Sequence, residues 1–338
     1  MDQNIVNGKK DAPEAFADAL SERVPLPIIQ TLYPLGFPLE ISTNSNEVIR
    51  AAVESWSRRE CEFERDPVRL RVLVEAPEGD ETYYDPVYRS QSGLLLIISS
   101  RSNFGVCDLA GRSGWCRISS QALADGGWFR WYFLEAMTYL LLAQHDTVPV
   151  HAACVAHQGR GVLLCGASGM GKTSLAFACA QAGWTYVGDD ATMLLQGSPT
   201  LEVLGKPHRF RFRPAALNLF TELQGRGSSI QGNGKPTVEV STAAFPAIST
   251  ASRCRINAIV FLNRRDHGFP AAQPLGVSEV LDRLARETPD YGDPARGRHL
   301  ETLERLATAP AWELRYSDFP EAIELLARLV RHPDDERS

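Results

Sequence analysis

The stretch Gly161-Val-Leu-Leu-Cys-Gly-Ala-Ser-Gly-Met-Gly-Lys-Thr-Ser174 decides how the rest of the chain is read. Residues 162–165 form a short apolar run of buried-strand type. The run breaks into Gly166, Ala167, Ser168, Gly169, Met170, Gly171, Lys172 and Thr173, which satisfies G-x-x-x-x-G-K-[ST]. Ser174 and the Ala- and Leu-rich residues 175–182 follow and stop at Gly183, as a helix should. Strand, glycine loop and helix in that order turn a pattern into a candidate phosphate site. Glycines let successive backbone N–H groups turn inward around phosphate oxygens, and the helix N-terminus adds partial positive charge. Lys172 would reach the β- and γ-phosphates, and the Thr173 hydroxyl would ligate Mg²⁺. The competing reading, an ordinary glycine-rich turn, leaves the filled Lys and Thr positions unexplained.

A chain of 338 residues has room for two domains, each with its own core. A net charge of −6 argues against a general nucleic-acid binder. Seven cysteines, an odd number without a C-x-x-C pair, indicate neither zinc site nor disulfide framework. They read as small buried hydrophobes in a reducing cytoplasm. The first twenty residues lack an apolar signal core. The greasiest segment, 128–144, carries Glu135 and is too short to span a bilayer comfortably. The expectation is a cytoplasmic protein with no membrane and no nucleic-acid partner.

The N-terminal half begins with an expected arm, 1–25. Leu39-Glu40-Ile41 reads as a short strand, and Val48, Ile49, Ala52, Val53 and Trp56 recur at helical spacing over 46–57. Val68, Leu70, Val72 and Val74 alternate with Arg69 and Arg71, as in a half-buried strand. A polar loop is expected over 77–93, then strands near 94–99, 103–108 and 116–119. This predicts a small α+β domain over 26–125, dominated by antiparallel strands, serving as a partner or subunit platform or as plain structure. Residues 127–144 predict a helix buried on most sides, set where the two halves join.

The second domain, 126–332, is expected to be α/β, with a charged tail at 333–338. Residues 148–155 read as a strand and His157-Gln158-Gly159 as the turn leading into the loop's strand. With the turn centred between Gln158 and Gly159, antiparallel pairing puts His151 opposite Gly166, as a site histidine or a satisfied buried one. His157 reads as solvated. After the loop helix, Trp184-Thr-Tyr-Val-Gly188 predicts a strand ending in Asp189-Asp190, 17 residues beyond Lys172. One helix and one strand place the pair at a carboxyl edge, where open α/β sheets bind ligands. One carboxylate there can hold Mg²⁺ while its neighbour takes a proton from an attacking hydroxyl.

His151, the 166–173 loop and Val187-Gly188-Asp189-Asp190, in this order and spacing, resemble the catalytic domain of bacterial HPr kinase/phosphorylase. The wider fold group, shared with phosphoenolpyruvate carboxykinases, also matches G-x-S-G-x-G-K-T. The resemblance covers 148–196. It implies a P-loop domain of that type preceded by the smaller α+β domain, and a kinase using ATP and Mg²⁺. It implies Asp189 as catalytic base, His151 as its relay partner, Lys172 as the phosphate-binding cation, and Thr173 and Asp190 as metal-associated groups. The implied reaction moves the γ-phosphoryl group to a serine hydroxyl of a protein or small peptide. Two departures matter. The family's Glu-x-Arg-Gly-Leu-Gly segment is absent, with Gly205-Lys-Pro-His-Arg-Phe-Arg-Phe-Arg213 in its place, and the N-terminal half does not match. HPr itself and the reverse phosphorolysis are therefore not carried over, and Glu202 and Glu222 are only loose candidates for a second metal ligand.

Arg209, Arg211 and Arg213 alternate with Phe210 and Phe212, so a strand would turn three guanidiniums one way and two rings the other. They read equally as a solvated basic face or as a clamp for phosphates or an acidic substrate. Residues 224–236 predict a mobile loop whose Lys235 either touches phosphate or solvates the loop. Residues 258–262 read as a buried strand ending in Asn263-Arg264-Arg265. Helices follow over 278–286 and 294–307, then a strand at 312–316 and a last helix capped by Asp318 with Pro320 in its first turn. A homo-oligomer is compatible with this reading. The rival reading is a nucleotide-dependent switch without substrate phosphorylation. A keto-acid carboxykinase is weaker, since that family's surrounding signatures are missing.

Overall fold

Contacts divide the chain into two compact units, Met1–Leu141 and Leu142–Ser338. The computed structural model describes residues 25–56, 59–77, 79, 82–189, 192–230, 236–288 and 295–331. All but Pro25 of the expected arm, together with Asp190, Lys235 and the 333–338 tail, lies outside the described residues.

The first unit is built on one seven-stranded sheet. Its strands are β1 (Ile28–Leu32), β2 (Leu39–Thr43), β3 (Val68–Glu75), β4 (Val87–Gln91), β5 (Leu94–Ile98), β6 (Phe104–Asp108) and β7 (Ser113–Ser119). They run in the order β1-β2-β3-β7-β6-β5-β4. Helix α1 (Asn46–Trp56) buries Val48, Ala51, Ala52 and Trp56 and carries the chain from β2 to β3. Such a crossover permits parallel pairing, and β2, β3 and β7 are indeed parallel neighbours. The expected antiparallel character therefore holds for β4 to β7 but not across the middle of the sheet. Strand β4 falls inside the stretch expected to be a loop. Its residues are nearly all exposed at the sheet edge, so it has no apolar alternation to read. Ser92 (φ 51°) and Gly93 (φ 80°) turn it into β5 through two left-handed residues, the geometry that matches strand twist.

The expected single helix over 127–144 is segmented. Helix α2 (Ser120–Ala124), α3 (Gly126–Phe129), a π-helical turn (Arg130–Glu135) and α4 (Ala136–His145) follow one another. Ser119 and Asp125 cap the first two by accepting from Ala122 N (3.2 Å) and Trp128 N (3.1 Å). Phe129, Phe133, Leu134, Met137 and Leu141 are buried, as expected of an all-round apolar helix. The division between units falls inside α4, whereas the sequence reading placed it ahead of this helix. The reason is that Met137 and Leu141 pack at Gly105 and Gly114 of the first sheet.

The second unit contains β8 (Thr147–Val150), β9 (Ala152–His157), β10 (Arg160–Cys165), α5 (Lys172–Gln181), β11 (Thr185–Gly188), β12 (Thr192–Leu195), β13 (Glu202–Leu204) and β14 (Arg209–Phe212). These are followed by β15 (Ser229–Ile230), β16 (Pro236–Ser241), β17 (Arg253–Arg264), β18 (Ala271–Pro274), α6 (Val277–Glu287), α7 (Arg296–Ala307), β19 (Ala311–Tyr316) and α8 (Phe319–Arg331). The main sheet runs β11-β9-β10-β17-β13-β12-β8, with β19 also on β17 and β18 on β19. Strands β10, β17 and β19 are parallel, while β9 is antiparallel to both β10 and β11. Alternate residues of β9 and β10 feed two cores. Ala153, Val155, Val162 and Leu164 pack with α5 and α8, and Ala152, Cys154, Leu163 and Cys165 pack with α6 and α7. Helices cover both faces, which explains the continuous apolar run at 162–165. Phe210 and Phe212 of β14 join the α5 core around Phe177. The chain is a mixed α/β protein carrying mixed sheets.

Three sequence readings are corrected here. Residues 148–155 are not one strand, because Val150 pairs with Thr192 while Ala152 pairs with Cys165. The stretch 224–236, expected to be a mobile loop, contains β15 paired with Pro236 and Thr237. His157 is not merely solvated, since its ring lies 4.6 Å from that of Trp184 and 3.2 Å from the Arg331 guanidinium.

Candidate active site

The tight hairpin between β9 and β10 turns at Gln158 (φ 51°) and Gly159 (φ 79°). Its ladder pairs Arg160 with His157 and ends by pairing Cys165 with Ala152. The expected register therefore holds along its whole length, and His151 and Gly166 are the next residues beyond its last pair. His151 is half-buried at the point where the chain leaves β8 for β9. The buried Thr192 hydroxyl braces that point, lying 3.4 Å from both Val150 O and Ala152 O.

Strand direction gathers the site. Because β9 runs antiparallel to β10 and β11, the start of β9 and the ends of β10 and β11 share one edge. Strands β17 and β19, parallel to β10, end there too. His151, the 166–171 loop, Asp189, Arg264 and Tyr316 thus stand at one rim of the sheet.

Gly166, Gly169 and Gly171 have φ of 148°, 93° and 88°, a region that side-chain-bearing residues rarely enter. Gly171 is the N-cap of α5, whose first residue is Lys172. Lys172 is only 6% exposed, and its ammonium folds back to donate to Gly166 O at 2.6 Å. A cleft of about 140 Å³ opens over the loop, lined by Ser168, Lys172 and Thr173 and, from outside the loop, by Arg211, Arg213 and Arg264. Gly169, Gly171 and Ser174 also border it. Among the described lining residues there are four cations and no carboxylate. Ala167 accepts from Met170 N within the loop, at 3.2 Å.

The arginine strand alternates as expected, with both rings buried. Arg209 and Arg211 share Glu239, the Arg211 contact being 3.2 Å. Arg213 reaches the loop and donates to Ser168 Oγ at 3.1 Å. Asp189 Oδ2 accepts from Arg211 N at 2.8 Å, which ties the end of β11 to the strand that lines the cleft. Gly205 makes the neighbouring approach possible, since a Cβ there would lie 2.0 Å from Val187 O. Glu202 sits in β13 opposite Arg255, and Glu222 accepts from Gln181 at 2.7 Å. Neither borders the cleft.

Arg264 and Tyr316 were not singled out as site residues by the sequence. The Arg264 guanidinium lies 5.2 Å from the centre of the Phe319 ring. Tyr316 is 1% exposed, and among the described residues its hydroxyl has no hydrogen-bond partner. Burial pushes its pKa up to about 12, while Arg264 acts in the opposite sense. The available signal was the strand ending in Asn263-Arg264-Arg265, but placing it beside the loop requires the sheet order.

A family model described as the SynChlorMet cassette protein ScmC matches residues 115–203, which include β10, the glycine loop, α5 and Asp189. No curated protein matches the chain. Among solved structures, the Hpr(Ser) kinase/phosphatase from Coxiella burnetii is similar at 13% identity and a TM-score of 0.30, covering 56% of this chain and 99% of that one. So slight a likeness adds nothing to the strand order and registers above. Among the described residues no helix is long and apolar enough to cross a membrane.

Proposed function

We propose that the cleft holds the polyphosphate of Mg-ATP and that the chain is a kinase of the HPr-kinase-like type, phosphorylating a serine hydroxyl on a protein or small peptide. The observation that carries this is the left-handed glycine loop between β10 and α5, with four cations and no carboxylate among the described residues that line its cleft. Such a lining suits several adjacent negative charges, and the residues present fit a nucleotide tail.

Phosphoryl transfer asks a protein mainly for positioning and charge neutralisation. The loop amides and Lys172 would neutralise the phosphates, and Arg213 is placed to add charge at Ser168. Asp189 would take the serine proton. Its Oδ2 accepts from Arg211 N, which fixes the carboxylate at the end of β11. His151, on the same rim, would orient that carboxylate. Thr173 would hold Mg²⁺ together with Asp190, and the ion would supply charge neutralisation to the phosphates.

The hydrogen bond at Asp189 also favours a second reading, in which the carboxylate is a structural tie and the protein is a nucleotide-dependent switch. Incubating the protein with labelled ATP and a cell lysate separates the two. The kinase yields a phosphoserine-bearing target, and Lys172→Ala lowers that labelling by about 10²–10³. Nucleotide binding without any labelled target would sink the kinase reading.

A further inference from the structure

We infer that Arg264 binds the inner phosphates of the nucleotide, at the opposite end of the glycine loop from the Lys172 ammonium and Arg213. This rests on the phosphate-site reading above and adds a direction to it.

The loop has two chemically different ends. At its start the Lys172 ammonium lies 2.6 Å from Gly166 O, and Arg213 touches Ser168. A lysine of this motif reaches the β- and γ-phosphates, so the start of the loop is the terminal-phosphate end. At the other end stands Gly171, followed by the amides of the α5 N-terminus, where inner phosphates are cradled. Arg264 belongs to this end. Its Cδ lies 4.0 Å, and the Tyr316 hydroxyl 3.3 Å, from the position a Cβ on Gly171 would take.

The placement of Arg264 follows from the sheet. Strand β17 runs parallel beside β10, with Phe261 opposite Cys165, so its last residues pass alongside the loop. The guanidinium then lies near the Phe319 ring, an interaction that orients the cation but consumes none of its N–H donors. Arg264 has no carboxylate partner among the described residues, whereas Arg211 is tied to Glu239. The Tyr316 hydroxyl lies against the same glycine, but it is buried and Tyr316 does not line the cleft, which leaves Arg264 as the donor at this end. A guanidinium that borders the cleft at the helix-side glycine, with no carboxylate partner among the described residues, is what an inner phosphate needs.

The test is calorimetric titration of the full chain with Mg-ADP and Mg-ATP. Arg264→Met removes the charge but keeps a stem to pack on Phe319. It should weaken ADP and ATP by the same factor, about tenfold, with Arg264→Lys recovering part of the loss. Arg213→Met should weaken ATP more than ADP. Wild-type affinity for both nucleotides in folded Arg264→Met, or a loss confined to ATP, would overturn the assignment while leaving the phosphate site standing. A wild-type chain that binds neither nucleotide would instead remove the phosphate-site reading, and this inference with it.

Discussion

Strands β3 and β10 show how differently the two units use a sheet. In β3, Val68, Leu70 and Val72 are buried while Arg69 is exposed. Residues 161–165 of β10 are buried throughout. The first sheet receives Met137 at Gly105 and Gly114 on one face and leaves Val87, Leu96 and Ile98 exposed on the other. The second is covered on both faces, so reactive side chains can emerge only where its strands end. Alternation therefore announces a one-sided sheet within a few residues, while a site at converging strand ends depends on which strands are neighbours.

The largest expected effect tests the two-sided core. Phe177 stands 5.1, 5.3, 4.9 and 5.1 Å from the rings of Phe210, Phe212, Phe220 and Phe245. Phe177→Ala should cost ~3–5 kcal/mol in chemical denaturation, and a loss below ~1 kcal/mol would mean this core is loosely packed. Next comes the strand-end chemistry. Asp189→Asn keeps an acceptor for Arg211 N but removes the proposed base, so the proposed phosphoryl transfer should fall ~10²–10³-fold with the melting temperature unchanged. An undiminished rate would return Asp189 to a purely structural role. The open face predicts little: Leu96→Ser should shift stability by no more than ~0.5 kcal/mol. A larger loss would mean that this face is covered.

The smallest effect is a pH dependence. Burial and the Arg331 cation lower the pKa of His157. As pH falls, the unfolded chain takes up this proton first. The contribution of His157 is therefore complete above its unfolded pKa and is lost as pH drops through the lowered folded value. Urea midpoints between about pH 7.5 and 5.5 should fall less in His157→Gln than in wild type. Equal slopes would show that the ring titrates alike in both states.

Much of the local structure was legible in the sequence because it is set locally. The glycine loop, the 46–57 periodicity, the buried rings of the arginine strand and the β9–β10 register all depend on residues near one another. So does Asp318, which accepts from Glu321 N at 3.2 Å to start α8. What escaped depends on distant pairing. His151 marks a change of partner that Val150 and Ala152 do not announce, and Thr192, which braces it, lies some forty residues away. Strand β4 is visible only once β5 is beside it, and Glu239 matters only because β16 pairs with β14. Arg264 reaches the cleft because β17 lies next to β10.

The two-residue hairpin at Gln158-Gly159 has a consequence far from where it sits. It fixes the pairing of Cys165 with Ala152 at the far end of the ladder, some 20 Å away at ~3.3 Å per residue. A single inserted amino acid there would slide one strand against the other and reverse which way its side chains point. Loop length at that remote bend therefore sets which residues of β9 arrive beside the start of the glycine loop, so an insertion there would be felt at the rim rather than at the bend.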